Sequence, residues 1–267
     1  MKVSCRLCQY DTQLLFEQRV LQKHLVGYYS CVECLSLQTE TPYWIAESYE
    51  NHLSQFDTGA VQRVLYNASL STWICRILNV GKVIDFGGSD GMLTRLLRDH
   101  HISCYLDDKY APNTYAQGFE ATKLHEVDFV LAFEILEHFT HPREDLNSLF
   151  TKNPKYVLIS TNTYNGQDSK WWYLAPDSGQ HVFFYSSKAL KMIGERYKYN
   201  VLTYQNYSFF YRDLDIFKKL LIKIVLKKQF AIFIKLFTLC KSVSGSDLDH
   251  EFLQKRSTDF IKGIPLQ

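Results

Sequence analysis

One stretch restricts the fold more than any other: Val83-Ile84-Asp85-Phe86-Gly87-Gly88-Ser89-Asp90-Gly91-Met92-Leu93. A short apolar run passes into closely spaced glycines and then into Met92, Leu93, Leu96 and Leu97, which share one helical face. The pattern predicts a buried strand, a tight turn and a helix in immediate succession. Glycines let the backbone bend sharply and approach a ligand, and the unpaired N–H groups that open the helix face that ligand's polar end. An amino-acid carboxylate suits such a helix start. About 20 residues further on, the next strand, Ile102 to Leu106, ends at Asp107-Asp108, where a carboxylate can accept hydrogen bonds from two ribose hydroxyls. The pair of signals points to a nucleotide-type ligand; a purely structural turn is the alternative.

The surrounding chain supports an α/β domain. Apolar strands at Lys82 to Phe86, Ile102 to Leu106, Val127 to Phe133 and Tyr156 to Ser160 alternate with helical stretches from Asp90 to His100 and through Glu144 to Phe150. That rhythm predicts a mostly parallel sheet with crossover helices. An aromatic-rich pair, Asn200 to Gln205 and Tyr207 to Tyr211, is expected to close it as an antiparallel last hairpin. Upstream, Val61, Val64, Leu65 and Ala68, followed by Trp73, Ile74, Ile77 and Leu78, recur at helical spacing and predict a helix from Asp57 to about Asn79.

Cys5, Cys8, Cys31 and Cys34 form two CxxC pairs, the spacing that sets four thiolates around structural zinc. A four-cysteine site has no open position, so it organises a fold rather than catalyses. The expected division is a zinc ribbon over 1–41, a helical linker over 42–79, the main domain over 80–213 and a basic amphipathic tail over 214–267. Thirty basic residues stand against 28 acidic ones, a net charge of +2, which argues against a non-specific nucleic-acid binder. The N-terminus has no apolar signal segment and no uncharged run reaches the ~20 residues that span a bilayer, so a cytoplasmic location is expected.

The glycine loop, the acidic strand end and Val127-Asp128-Phe129-Val130-Leu131-Ala132-Phe133-Glu134-Ile135-Leu136-Glu137-His138 together resemble class I S-adenosylmethionine (SAM)-dependent methyltransferases. More narrowly, residues 1 to about 200 resemble bacterial members with an N-terminal zinc ribbon, through Pro42-Tyr43-Trp44, Asp57-Thr58-Gly59, Asp108-Lys109-Tyr110, Trp171-Trp172-Tyr173 and Gly179 to Ser186. The resemblance implies a Rossmann-like sheet in which Asp85, Gly87, Gly88, Ser89 and Gly91 surround the methionine part of SAM. Asp108 would hold the ribose and Phe133 the adenine side. Ser89 stands where most relatives carry glycine.

Methyl transfer to oxygen or carbon requires a base near the acceptor, and His181 is the first candidate, with Glu134 beside it. The competing reading of His181 is a pin for Phe183, Phe184 and Tyr185. A helix beginning at Glu134 would project Glu134, Glu137 and His138 from one face, a second metal set that His181 could complete, as in some RNA 2′-O-methyltransferases; the alternative is a structural Glu-His pair. Asn153-Pro154-Lys155-Tyr156 precedes a strand rather than following the fourth one, so it reads as a turn and base N-methylation is disfavoured.

Trp171, Trp172 and Tyr173 are candidates for stacking on a sugar or other ring, or for a lid. From Lys218 to Lys241, apolar residues interleave with lysines, which suits either contact with an anionic membrane at its inner face or a helix covering the domain. The resulting expectation is methylation of a hydroxyl or carbon on a small or glycan-related acceptor, such as a nucleotide- or lipid-linked sugar. The alternatives are an RNA methyltransferase using metal-assisted 2′-O-methylation, and a SAM-fold binding protein without catalysis.

Overall fold

The computed structural model describes residues 3–50, 58–124, 126–227 and 245–261. Its contacts divide the chain into two compact units: Gly59–Phe129 with Asp215–Gln267, and Met1–Thr58 with Val130–Leu214.

The unit holding the glycine loop starts with α2 (Ala60–Leu78), which terminates at Asn79 in the left-handed conformation. Ala68, Leu70, Ile74, Cys75 and Leu78 are its buried apolar residues, whereas Val61 and Leu65, expected on that face, are exposed. The chain then forms β4 (Val83–Phe86), α3 (Met92–Asp99) and β5 (Cys104–Asp107). Strands β4 and β5 pair in parallel, with Asp85 opposite Leu106. A helix over Gly245–Ile261 docks on α3 through Asp249, which takes Arg95 and Arg98 at 2.6 Å each. Such two-armed, partly buried pairing is stronger than an ordinary surface ion pair.

The other unit begins with β1 (Thr12–Val20), β2 (His24–Cys31), β3 (Leu37–Thr39) and the short helix α1 (Ile45–Ser48). It continues with β6 (Phe129–Phe133), α4 (Pro142–Phe150), β7 (Tyr156–Ser160), β8 (Phe183–Phe184), α5 (Ser187–Tyr197), β9 (Asn200–Tyr204) and β10 (Tyr207–Tyr211). Pro at the first turn of α4 and the Ser186 side chain, which accepts the Ala189 N–H at 2.9 Å, start the two helices. The expected aromatic hairpin is present: β10 pairs antiparallel with both β7 and β9, and its five residues are all buried.

The larger sheet has the order β5-β4-β6-β7-β10-β9, and the smaller one β1-β2-β3-β8. The smaller sheet is the informative one. Its fourth strand, β8, comes from the chain beyond β7, so residues far apart in sequence complete the N-terminal ribbon.

The basic tail begins as α6 (Ile216–Val225), capped by the Asp215 carboxylate, which accepts the Lys218 N–H at 2.8 Å. Ile222, Val225 and Leu226 are buried, and Ile216, Phe217 and Leu220 are exposed. Lys228, Lys235 and Lys241 of the expected membrane-facing run lie outside the described residues. Among the described residues, no helix is long and apolar enough to cross a membrane.

Candidate functional site

The loop after β4 has the shape its glycines imply. Gly87, Ser89 and Gly91 all have positive φ, at 67°, 54° and 85°. A side chain at Gly88 would collide with the Asp85 carboxyl and approach Leu106 to 2.7 Å. Asp85 itself lies beneath the loop, where it accepts the Thr94 hydroxyl at 3.0 Å. Burial pushes its carboxyl up to about 7, against the opposing pull of Thr94. Asp108 closes the other side: its carboxylate accepts the Ser89 N–H at 2.9 Å and the Tyr110 and Ala111 N–H groups at 2.8 and 2.9 Å. The loop and the strand end are thus tied together by main-chain donors on one carboxylate. Phe133, at the end of β6, is half-buried, with its ring edge-on to Tyr207.

The four cysteines converge. Cys5 Sγ lies 3.6 Å from Cys34 Sγ, Cys8 Sγ lies 3.4 Å from Cys31 Sγ, and all four sulfurs fall within 4.8 Å of one another. Tetrahedral zinc with bonds of about 2.3 Å needs sulfurs about 3.8 Å apart, so the donor set fits zinc(II). The Cys34 N–H donates to Cys31 Sγ at 3.4 Å, an N–H···S contact that supports a thiolate there.

A third group forms around the segments that follow β6 and β7. No helix begins at Glu134. Instead Glu134 takes a left-handed backbone, φ 51°, and only Leu136–His138 make a 3-10 turn. The cause is visible at β7: the Glu134 N–H donates to the Ser160 carbonyl at 3.1 Å and to its Oγ at 3.0 Å, and the Ser160 hydroxyl in turn donates to Glu134 Oε1 at 2.6 Å. Pinned this way, Glu134 lies outside the 3-10 turn, but its carboxylate still meets Glu137 at the Tyr173 hydroxyl.

Glu137 is fully buried. Its Oε1 accepts the Tyr173 hydroxyl at 2.5 Å, and the same hydroxyl lies 3.2 Å from Glu134 Oε2 and 3.3 Å from Thr161 Oγ1. Burial, and then the neighbouring Glu134 carboxyl, push Glu137 well above the usual carboxylate range. The histidine that joins Glu137 and His138 is His181, whose ring meets His138 edge-on at 5.0 Å. His181 Nδ1 lies 2.7 Å from the Tyr173 carbonyl, which can only accept, so Nδ1 is the donor in that bond. His138 Nδ1 lies 3.1 Å from the Tyr49 hydroxyl, and burial followed by the nearby His181 holds its ring down to about 3.

Of the three aromatic candidates, Tyr173 is buried in this network and Trp171 packs on Tyr164 and Phe184. Trp172 is 73% exposed beside a shallow groove shared with Gln167, Asp168 and Lys170.

Among known proteins, a family described as a methyltransferase domain matches residues 61–204, more than half of the chain. The chain belongs to this methyltransferase family. A search of curated proteins returns no match. Solved structures similar to it include the methyltransferase domain of bacterial CtHen1, at 16% identity over 55% of this chain and 95% of that one, TM-score 0.40. Two others are from Burkholderia thailandensis. One is 1,6-didemethyltoxoflavin-N1-methyltransferase with bound 1,6-didemethyltoxoflavin and S-adenosylhomocysteine, at 14% identity over 62% of this chain and 83% of that one, TM-score 0.42. The other is an O-methyltransferase family protein, at 14% identity over 56% and 55%, TM-score 0.43.

In this methyltransferase the matched segment includes the glycine loop, Asp108, Glu134 to His138 and His181, but neither the four cysteines nor α6. Several residues around its polar groups carry no local signal. Tyr49, Ser160 and Thr161 are ordinary polar positions until the chain folds them onto His138, Glu134 and Tyr173. Thr94 is more legible, since it faces back toward the loop one turn into α3.

Proposed function

We propose that this methyltransferase transfers a methyl group from SAM to a hydroxyl or carbon of a small or glycan-related acceptor, with His181 as the base. SAM supplies an electrophilic sulfonium methyl. The cradle residues fit its amino-acid and ribose ends: Gly88 has no room for a side chain, Gly91 opens α3 with a positive φ, and Asp108 stands at the strand end with lone pairs for a diol. The observation that carries the assignment of His181 is its 2.7 Å hydrogen bond to the Tyr173 carbonyl, which selects the tautomer whose Nε2 can receive the acceptor's proton. Glu134, held by Ser160 and close to the Tyr173 hydroxyl, keeps Tyr173 in place through a second carboxylate. Trp172 offers an exposed face on which an acceptor ring can stack, flanked by Asp168 and Lys170. Contact of α6 with an anionic membrane belongs to the same reading for a lipid-linked acceptor, and binding to anionic vesicles in flotation tests that part.

Calorimetry with SAM tests the cofactor. Methyl transfer to a panel of nucleotide- and lipid-linked sugars then tests the base: His181→Ala is expected to lose about 100-fold or more in turnover with SAM affinity unchanged. Absence of SAM binding at millimolar concentration would end the enzymatic reading, and full turnover by His181→Ala would end the role of His181.

A further inference from the structure

We propose that the helix over Gly245–Ile261 sets the affinity for SAM, with Asp249 as the positioning residue: by anchoring Arg98 it holds the segment over residues 113–120 against the glycine loop. The inference rests on the reading of that loop as the seat of SAM's amino-acid end. The segment lies directly on the loop. The Thr114 and Tyr115 N–H groups donate to the Asp90 carbonyl at 2.9 and 3.0 Å, and a Cβ at Gly91 would come within 3.0 Å of both Ala116 Cβ and Asn113 Oδ1. Further along, the Phe119 carbonyl accepts the Leu106 N–H at 2.9 Å, in the strand that leads to Asp108. Both sides of the cradle therefore depend on where this segment sits.

Three contacts bring the helix to it. Phe252 stacks on Phe119 with ring centroids 6.1 Å apart, and Leu253 fills the space over Gly118, where a Cβ would meet its Cδ2 at 2.7 Å. The third contact is Arg98. Its guanidinium lies 3.5 Å from the centre of the Phe119 ring and donates to the two Asp249 oxygens, at 2.6 and 2.8 Å.

Asp249 is buried, which shields these charge-assisted bonds from water. Arg95 donates to the same carboxylate at 2.6 Å but has a second partner in Asp99, whereas Arg98 would keep only the Cys104 carbonyl among its described hydrogen-bond partners. Loss of Asp249 therefore falls on the residue stacked against Phe119. A segment held in place beforehand spares the ligand the entropy of ordering it, so a loosened helix lowers affinity. Linkage requires the converse: bound SAM tightens the helix.

Amide exchange of the full-length protein with and without SAM, paired with calorimetry, tests the coupling. In the unmodified protein SAM is expected to slow exchange over residues 113–120 and 246–255 together, and Asp249→Ala is expected to weaken SAM binding by about 10-fold. A merely structural Asp249 would lower the denaturation midpoint and leave SAM affinity unchanged. That result, or protection by SAM that stops short of the helix, overturns the proposal while the cofactor reading stands. The exchange measurement needs no variant, so it decides even where Asp249→Ala does not fold. Unmodified protein that takes up no SAM at all overturns the cofactor reading, and this inference with it.

Discussion

Asp85 shows how much one buried side chain can impose. It sits under the glycine loop, 2% exposed, with Thr94 as its hydroxyl donor, and its carboxyl is pushed up to about 7. The folded protein therefore keeps a proton there that the unfolded chain gives up near the ordinary aspartate value of about 4. Its contribution to stability is full at acid pH, declines as pH rises from about 4, and levels off above about 7. Urea unfolding of the unmodified protein and of Asp85→Asn at pH 5 and pH 8 should show the unmodified protein losing about 2 kcal/mol more than the variant between the two. Equal losses would mean that Asp85 is ionised in the fold. Ser89 is the other residue at which local preference yields: it holds a left-handed φ although L-residues other than Asn and Asp seldom do, and its N–H is committed to Asp108.

At the scale of elements, the segment between Trp171 and Ser186 is shaped by strands and turns from the N-terminal region. Leu37 and Gln38 of β3 pair with Phe184 and Phe183 of β8, Arg6 donates to the Val182 carbonyl at 2.5 Å, and the Trp44 indole N–H donates to the Gly179 carbonyl at 2.8 Å. Trp44 is buried against the same cluster as Tyr173 and Phe184. These bonds hold the turn that presents His181. Trp44→Phe keeps most of the apolar surface but leaves the Gly179 carbonyl without its donor, a loss of about 1–3 kcal/mol. Chemical denaturation should report a drop in that range, and no change would show that water takes over the indole's place. The change at Glu134 belongs to this scale as well. Its spacing to Glu137 and His138 would give one face only on a helix, and the two hydrogen bonds from its N–H to Ser160 instead go with a left-handed residue and a single 3-10 turn.

For the molecule as a whole, the four-cysteine site connects the first residues to the segment that bears the candidate base. The Ser186 hydroxyl donates to the Cys34 carbonyl, and the Ser36 hydroxyl accepts the Ser186 N–H at 3.3 Å, so the knuckle that would hold zinc also anchors the start of α5. Removal of zinc with a strong chelator should therefore raise amide exchange over residues 24–39 and 173–186 together, and turnover should fall with it. Exchange confined to the first 40 residues would show that the ribbon is a separate body.

The sequence by itself determined what local chemistry controls. The glycine turn between β4 and α3, the antiparallel aromatic hairpin of β9 and β10, and the pairing of two CxxC motifs each depend on residues a few positions apart or on a fixed ligand spacing, so periodicity and turn chemistry suffice to find them. Only the tertiary structure decided the composition of the acid–histidine group. Tyr49, Ser160, Tyr173 and His181 reach Glu134, Glu137 and His138 across long stretches of chain, and a hydrogen bond made at such separation leaves no local pattern. For the same reason Trp171-Trp172-Tyr173 reads as one motif but separates in the fold into a packed ring, an exposed face and a buried hydroxyl. Burial is set by what the rest of the chain places around each residue.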